Sequence, residues 1–387
     1  MRATRATIDL ARLRTNLAAV GAHLRAARNP AQPAPRICLA VKANAYGHGA
    51  VPVARAALQA GVSVFGVATV GEGVELREAG IKEPILLFGL PLPEEAPAIA
   101  SAGLTPLCSD AALGRDLARA AAAAGRTVEV HLKIDTGMER IGCRPREAAA
   151  IAEQLRGLTG LRLTGLCTHF ARSSEVDQEY SRAQLAAFHD AIAAIPDRDR
   201  LLLHTANSGA IVGLPESHLD MVRLGVIAYG YYPGGDLPRP IAVQPVMELA
   251  THLVYLKRVP AGTGISYGHT HRTAADTVIA TLPAGYADGY PRLLSNRSKV
   301  LIRGRRFPVV GRICMDQCLV DLGPRPDADR YDRAVLFGPD PAGPDAAALA
   351  AIIGTIPYEI TSAISARVPR IYRGEKSINH TLTCNLR

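Results

Sequence analysis

Residues 37–49 read Ile37-Cys38-Leu39-Ala40-Val41-Lys42-Ala43-Asn44-Ala45-Tyr46-Gly47-His48-Gly49. The first five form a short apolar run of the kind that makes a buried strand. Lys42 closes it, a tyrosine and two glycines follow, and a helical pattern runs from Val51 to Ala60. Strand, lysine, turn and helix make one unit of an alternating α/β fold. A lysine ending a buried strand is costly unless it is paired or chemically used. Lys42 therefore either snorkels to solvent or holds a carbonyl cofactor, whose phosphate the following helix N-terminus suits.

The unit repeats. Strand candidates are 37–41, 64–68, 85–88, 105–108, 128–134, 163–168, 201–205 and 221–228, with Ala-rich helical stretches such as 111–124 and 180–195 between them. Eight strands alternating with helices predict an α/β fold, a parallel (β/α)8 barrel. Lys42, Asp135, His169, His204 and Arg223 fall at strand C-terminal ends, the face that carries chemistry in such barrels. Beyond 231–236 the texture changes. Runs 247–259, 277–282, 299–302, 307–310, 318–322 and 334–337, separated by Gly and Pro turns, predict a mainly-β C-terminal domain. One helix is expected within it, over 341–353. The division is placed at 1–240 and 241–387.

Composition excludes several classes. The formal charge of +9 comes from only six lysines and 38 arginines, scattered without a basic tail or aromatic–basic alternation. That pattern argues against nucleic-acid binding. The cluster Arg303-Gly304-Arg305-Arg306 reads as a hairpin turn. No run suits a membrane span, and residues 1–10 lack an apolar signal segment, so a cytoplasmic location is expected. Seven cysteines without a CxxC pair predict reduced, packed thiols and no metal site.

A cofactor of the pyridoxal phosphate type needs a phosphate cup, a ring-nitrogen partner and acid/base groups. Tyr46, Ser208 and the backbone at Gly225-Val226 are cup candidates; the alternative for Asn207-Ser208-Gly209 is a turn and helix cap. Arg223, inside an apolar strand, needs a partner, either a carboxylate such as Asp220 or the ring nitrogen. With its high pKa it would leave that ring mostly unprotonated and a weaker electron sink. Arg140 is placed to grip a carboxylate. Lys133 beside it repels unless compensated, as a carbamate would do; the alternative is a surface lysine. Tyr267, in Ser266-Tyr267-Gly268, is a poor base unless cations depress its pKa, and a turn is the alternative.

The blocks AVKANAYGHG, HLKIDTGMERIG, THFARSSEVDQEY, HTANSGA, DMVRLGVIAYG, SYG, GYADGY, ICMDQ and IPYEI occur in an order that resembles the alanine racemase family over nearly the whole chain. The resemblance implies a barrel plus β-domain, pyridoxal 5'-phosphate and a homodimer with shared active sites. It further implies interconversion of L-alanine and D-alanine, supplying D-alanine for peptidoglycan. By matching motif, Lys42 would carry the cofactor and act as the base for D-alanine. Tyr267 of the partner subunit would be the base for L-alanine. Arg223 would face the ring nitrogen, and Tyr46, Ser208, Gly225, Val226 and Tyr358 would hold the phosphate. Arg140 and the Met315 N–H would bind the substrate carboxylate, and His169 and His204 would pack the site. Tyr286, Tyr358 and Asp316 would narrow the entrance, and Lys133 matches a carbamylated position. Two departures bear on substrate range: His271 stands where an aromatic is common, and Glu139 where a small or neutral residue often precedes the arginine. The competing readings are a broader amino-acid racemase, a pyridoxal phosphate decarboxylase and a non-enzymatic cofactor carrier.

Overall fold

The computed structural model describes residues 2–27, 33–234 and 236–374; Gly235, within the 231–236 segment, and Cys384, one of the seven cysteines, lie outside them. Eight parallel strands form one sheet in the order Leu202–His204, Leu161–Cys167, Val128–Lys133, Thr105–Cys108, Ile85–Leu87, Val64–Val67, Arg36–Ala40, Met221–Leu224. Its two edges meet around Asp220: the Asp220 N–H donates to Leu203 O (3.1 Å), and the Leu203 N–H donates to Asp220 Oδ2 (2.8 Å). The Arg223 N–H adds a bond to Ala206 O (2.9 Å). The sheet thus curls into a nearly closed barrel, with helices such as Leu10–Ala26, Ala111–Ala123 and Glu179–Ala193 outside.

Side chains alternate faces along a strand, and the alternation decides what enters the barrel. Cys38, Val64, Leu86 and Met221 form a buried cluster of their own, with Phe88 and Leu202 packed against it. Counting by two toward the C-terminal ends leads from Cys38 through Ala40 to Lys42, and from Met221 through Arg223 to Gly225. The same count leads from Leu202 to His204, from His131 to Lys133, and from Gly165 through Cys167 to His169. Three of these inward series begin apolar or small and end polar at one face; the His131 series is polar throughout, and the Met221 series carries its charge at Arg223 before ending at Gly225.

The β-domain contains a six-stranded sheet ordered Arg305–Pro308, Lys299–Ile302, Arg333–Phe337, Met247–His252, Arg5–Asp9, Arg370–Arg373, and a three-stranded sheet of Tyr255–Val259, Thr277–Leu282 and Cys318–Asp321. Four details differ from the sequence expectation. Arg5–Asp9, assigned by position to the barrel, pairs antiparallel with Met247–His252 and parallel with Arg370–Arg373. The run 247–259 breaks at Leu253-Val254 into two strands of different sheets. The run 221–228 stops at Leu224, because Gly225 leaves the strand region (φ −121°, ψ −112°) and a 3-10 turn Val226–Tyr229 follows. The helix expected over 341–353 begins at Ala346, where the Asp345 side chain accepts from the Ala348 N–H (2.7 Å); Pro341, Gly343 and Pro344 hold the preceding turn open. The 303–306 cluster is a hairpin turn as expected, with Arg303 and Gly304 at positive φ and Arg303 ion-paired to Asp327, Asp329 and Asp332. Among the described residues no helix is long and apolar enough to cross a membrane.

Candidate active site

A cavity of about 300 Å³ opens at the C-terminal ends of the barrel strands. Lys42, Tyr46, Lys133, Arg140, His169, Ser208, Arg223, Gly225, Val226 and Tyr358 all line it. It holds two lysines and two arginines, and no Asp or Glu among its described lining residues. Such a pocket favours anions with a phosphate or carboxylate group.

Lys42 is half-buried. Burial, then the nearby Arg140 charge, holds its amine below the usual lysine range, against an opposing pull from Glu72. The chain after it is strained. Ala43, Asn44, Ala45 and Tyr46 all have φ between 51° and 54°, a left-handed turn of four non-glycine residues. Each such residue costs roughly 1–2 kcal/mol, so the turn needs firm anchorage. The Ala43 N–H donates to Glu72 Oε1 (2.6 Å), Ala45 N–H to Val41 O (2.7 Å) and Ala50 N–H to Asn44 Oδ1 (2.8 Å). Buried His48 places its Nδ1 3.0 Å from both Ala45 O and Tyr46 O and packs on Tyr229. Gly47 and Gly49 permit close approach: a Cβ on the first would meet Thr361 O, and one on the second the Tyr372 hydroxyl.

The turn brings Tyr46 against Gly225. A Cβ at Gly225 would lie 2.9 Å from the Tyr46 hydroxyl and 3.5 Å from Ser208 Oγ. The Gly225 N–H donates to Ser208 Oγ (2.9 Å), leaving the serine proton free to donate into the cavity. Asn207 caps the following helix by accepting from the Ala210 N–H (3.1 Å), so cap and cup sit side by side. Tyr358 reaches the cavity from the β-domain helix Pro357–Ser362, its ring 6.0 Å from that of Tyr46.

Arg223 is buried and makes no ion pair among the described residues; Asp220 is used in barrel closure instead. Its Nη1 donates to His204 Nδ1 (2.8 Å) and His204 O (2.8 Å). Its Nη2 donates to Thr168 O (2.7 Å), Thr205 O (2.9 Å) and His169 Nδ1 (3.2 Å). All five bonds fall on the terminal nitrogens. Burial, then Arg223, keeps His169 and His204 far below the ordinary histidine pKa, so both are neutral. His204 does not line the cavity; it stands behind Arg223. His131, which the sequence reading passed over, stands behind His204 in turn (Nδ1 to Nε2, 2.8 Å).

Lys133 is almost fully buried, and burial is the main force that pushes its pKa down to about 8, with Cys167 and Asp135 opposing and Arg223 and Arg140 adding to the fall. Asp135 does not enter the cavity. Its Oδ1 accepts the N–H groups of Gly137 (3.0 Å), Met138 (2.9 Å) and Glu139 (3.2 Å), which shapes the loop presenting Arg140. Glu139 pairs with Arg144 (2.7 Å), leaving the Arg140 charge uncompensated by its neighbour.

Tyr267, Met315, Tyr286 and Asp316 do not line this cavity. They lie on the β-domain and are exposed, Tyr267 by 68 % and Met315 by 53 %. The Tyr286 and Ala287 N–H groups donate to Cys314 O and Met315 O (3.0 Å each), zipping the two loops together. Arg367 fixes both from behind, with Nε on buried Asp288 (2.7 Å) and Nη2 on Asp316 (2.6 Å). Burial pushes the Asp288 carboxyl up, but bonds from Arg367, Gly285 N–H and Arg2 outweigh it and hold the group below the usual carboxylate range.

These features agree with comparisons to known proteins. The family model for the alanine racemase N-terminal domain matches residues 8–233, and that for the C-terminal domain matches 246–372. Alanine racemase of Desulfovibrio desulfuricans is 46 % identical over 371 residues, 95 % of this chain and 97 % of that protein. Alanine racemase of Clostridium difficile superposes with a TM-score of 0.90 at 37 % identity, covering 96 % of each chain. The Bartonella henselae enzyme, solved with covalently bound pyridoxal phosphate, superposes with a TM-score of 0.85 at 28 % identity, covering 96 % of this chain and 100 % of that one. Sequence, fold and pocket converge on one assignment: the chain belongs to the alanine racemase family.

Proposed function

We propose that this protein interconverts L-alanine and D-alanine with pyridoxal 5'-phosphate carried on Lys42. The observation that carries the reading is the cavity itself: a lysine with a lowered pKa, a recess between Tyr46 and Ser208 that a Cβ at Gly225 would fill, and a buried arginine without a carboxylate partner among the described residues. The residues present fit the cofactor. Tyr46, Ser208, Gly225, Val226 and Tyr358 would hold its phosphate, and Arg223 its ring nitrogen. When bound, pyridoxal phosphate supplies the electron sink that makes the Cα proton of an attached amino acid removable.

The rest of the chemistry belongs to the chain. Inversion at Cα requires a proton to leave one face and another to arrive on the opposite face, so two bases must flank the substrate. Lys42 is the first, acting on D-alanine, and its lowered pKa raises the fraction of free amine. Tyr267 of the same protomer is not among the residues that line the cavity. Tyr267 of a second copy is the group proposed for L-alanine, and its exposure on the β-domain suits a residue that docks against another subunit. Arg140 and the Met315 N–H would fix the substrate carboxylate, with Tyr286 and Asp316 beside them at the entrance. A homodimer with shared sites follows from this division. D-Alanine so made would serve peptidoglycan synthesis.

Incubating the pure holoenzyme with L-alanine in deuterated water is expected to yield D-alanine with deuterium at Cα. Unchanged configuration would sink the proposal. Lys133 carries a second expectation. Only an uncharged amine combines with CO2, and with a pKa of about 8 Lys133 gains that form as pH rises through 7 to 9. A carbamate there would turn its repulsion of Arg140 into attraction. With 13C-bicarbonate, a carbamate resonance is expected to grow over that range in the native protein and be absent from Lys133→Ala. No such resonance at any pH removes the modification.

A further inference from the structure

We propose that His131 is a positioning residue for the racemization: through His204 it fixes the hydrogen-bond pattern of Arg223. The inference rests on the reading above, in which Arg223 faces the cofactor ring, and it names a residue two bonds removed from the cavity.

The argument begins with donors. A guanidinium carries only N–H groups. The short contact from Arg223 Nη1 to His204 Nδ1 (2.8 Å) therefore makes Nδ1 the acceptor. A neutral imidazole has one N–H, so the proton of His204 lies on Nε2. That nitrogen is 2.8 Å from His131 Nδ1, which must accept in turn. His131 then carries its own proton on Nε2. One tautomer of each ring satisfies the chain Arg223 to His204 to His131, and no other assignment leaves every contact a donor facing an acceptor.

Burial enforces the pattern. His204 is fully buried and His131 is 4 % exposed. Desolvation first, then Arg223, pushes the His131 pKa down to about 3, so the ring stays neutral across the working pH range. The local sequence makes room for it. A Cβ at Gly165 on the next strand would lie 2.7 Å from His131 Cδ2, so the imidazole occupies space that only glycine leaves open. Without the acceptor at position 131, the His204 Nε2–H would be buried and unpaired. Its other tautomer would point N–H at N–H against Arg223. Either state costs roughly 1–3 kcal/mol, and the guanidinium can relieve it by turning. A turned Arg223 presents different N–H groups to whatever lies in front of it.

The test uses the full-length holoenzyme and two variants. His131→Leu removes the acceptor, and His131→Asn keeps one, because its Oδ1 can take the place of Nδ1. The leucine variant is expected to lose about 10- to 100-fold in kcat, the scale of a small misplacement at a catalytic group, with KM changed less than about twofold. The asparagine variant is expected to recover most of that loss. In 15N-histidine-labelled protein, the His204 resonances, identified by their loss in His204→Gln, should show a protonated Nε2 and bare Nδ1 in the wild type and in His131→Asn. In His131→Leu they should shift toward the mixed pattern of two tautomers. Equal kcat in all three proteins overturns the proposal, and so does a protonated Nδ1 on wild-type His204. If His131→Leu does not fold, the wild-type spectrum and His131→Asn still decide. A wild type that leaves alanine's configuration unchanged overturns the functional reading, whereas active wild type with a protonated His204 Nδ1 overturns only this inference.

Discussion

Lys42→Ala should abolish the visible absorbance of bound pyridoxal phosphate and lower racemization by at least about 10⁴-fold, since it removes both the covalent attachment point and one base. The expectation follows from geometry. Lys42 ends an inward series that starts at Cys38, and a strained left-handed turn anchored by Glu72, Asn44 and His48 fixes its position. Lys133 is the one other lysine among the described cavity residues, and it too has a depressed pKa. It springs from a different strand, with Cys167 and Arg223 as the charges that act most strongly on it after burial, so it should not take over. Absorbance and racemization are read separately, by spectrum and by chiral chromatography. A Lys42→Ala protein that keeps the lysine-bound absorbance would move the attachment point. If Lys133→Ala alone abolished that absorbance, the carrier would be Lys133; if it vanished only in the Lys42→Ala/Lys133→Ala double variant, either lysine could carry it.

Much of this was legible in the sequence because it depends on local periodicity. Apolar runs of four to eight residues predict the barrel strands, and Lys42, His169 and Arg223 fall at their C-terminal ends. What escaped depends on contacts far apart in the chain. Arg5–Asp9 is too short and mixed to declare its sheet, and only pairing with residues some 240 positions later puts it in the β-domain. Residues 247–259 are good β-formers throughout, so nothing local marks the corner at Leu253-Val254. The left-handed turn is hidden for the same reason: Ala43 and Ala45 do not announce positive φ, and the conformation is held by Glu72 and by close packing of Gly47 against Thr361. His131 lies inside the predicted strand 128–134, and nothing local sets it apart there. Its place became visible only when Gly165 on the neighbouring strand opened the space for its ring. Glu139 shows the reverse. Its charge next to Arg140 departs from the family pattern, yet the loop shaped by Asp135 turns it to Arg144.

Tyr267→Phe is expected to keep the cofactor absorbance and still lose racemization by about 10²–10⁴-fold, the usual range for removing a general base. The substitution deletes one oxygen from an exposed ring, so it should leave folding intact. Loss of activity from a residue outside its own protomer's cavity would then require that the hydroxyl acts elsewhere. A mixed dimer separates the two places. Lys42→Ala supplies a sound Tyr267, and Tyr267→Phe supplies a sound Lys42. If each site draws Lys42 from one copy and Tyr267 from the other, half of the randomly paired dimers rebuild one of their two sites, and equal co-expression should restore about a quarter of wild-type activity. If both residues served one cavity on one chain, each protomer would remain defective and no activity would return. Absence of complementation in purified, tagged heterodimers would confine the site to a single protomer and end the shared-site reading, whereas a fully active Tyr267→Phe homodimer would remove the tyrosine as a base. A quarter of the activity from two inactive parents has no source other than an active site assembled across the dimer.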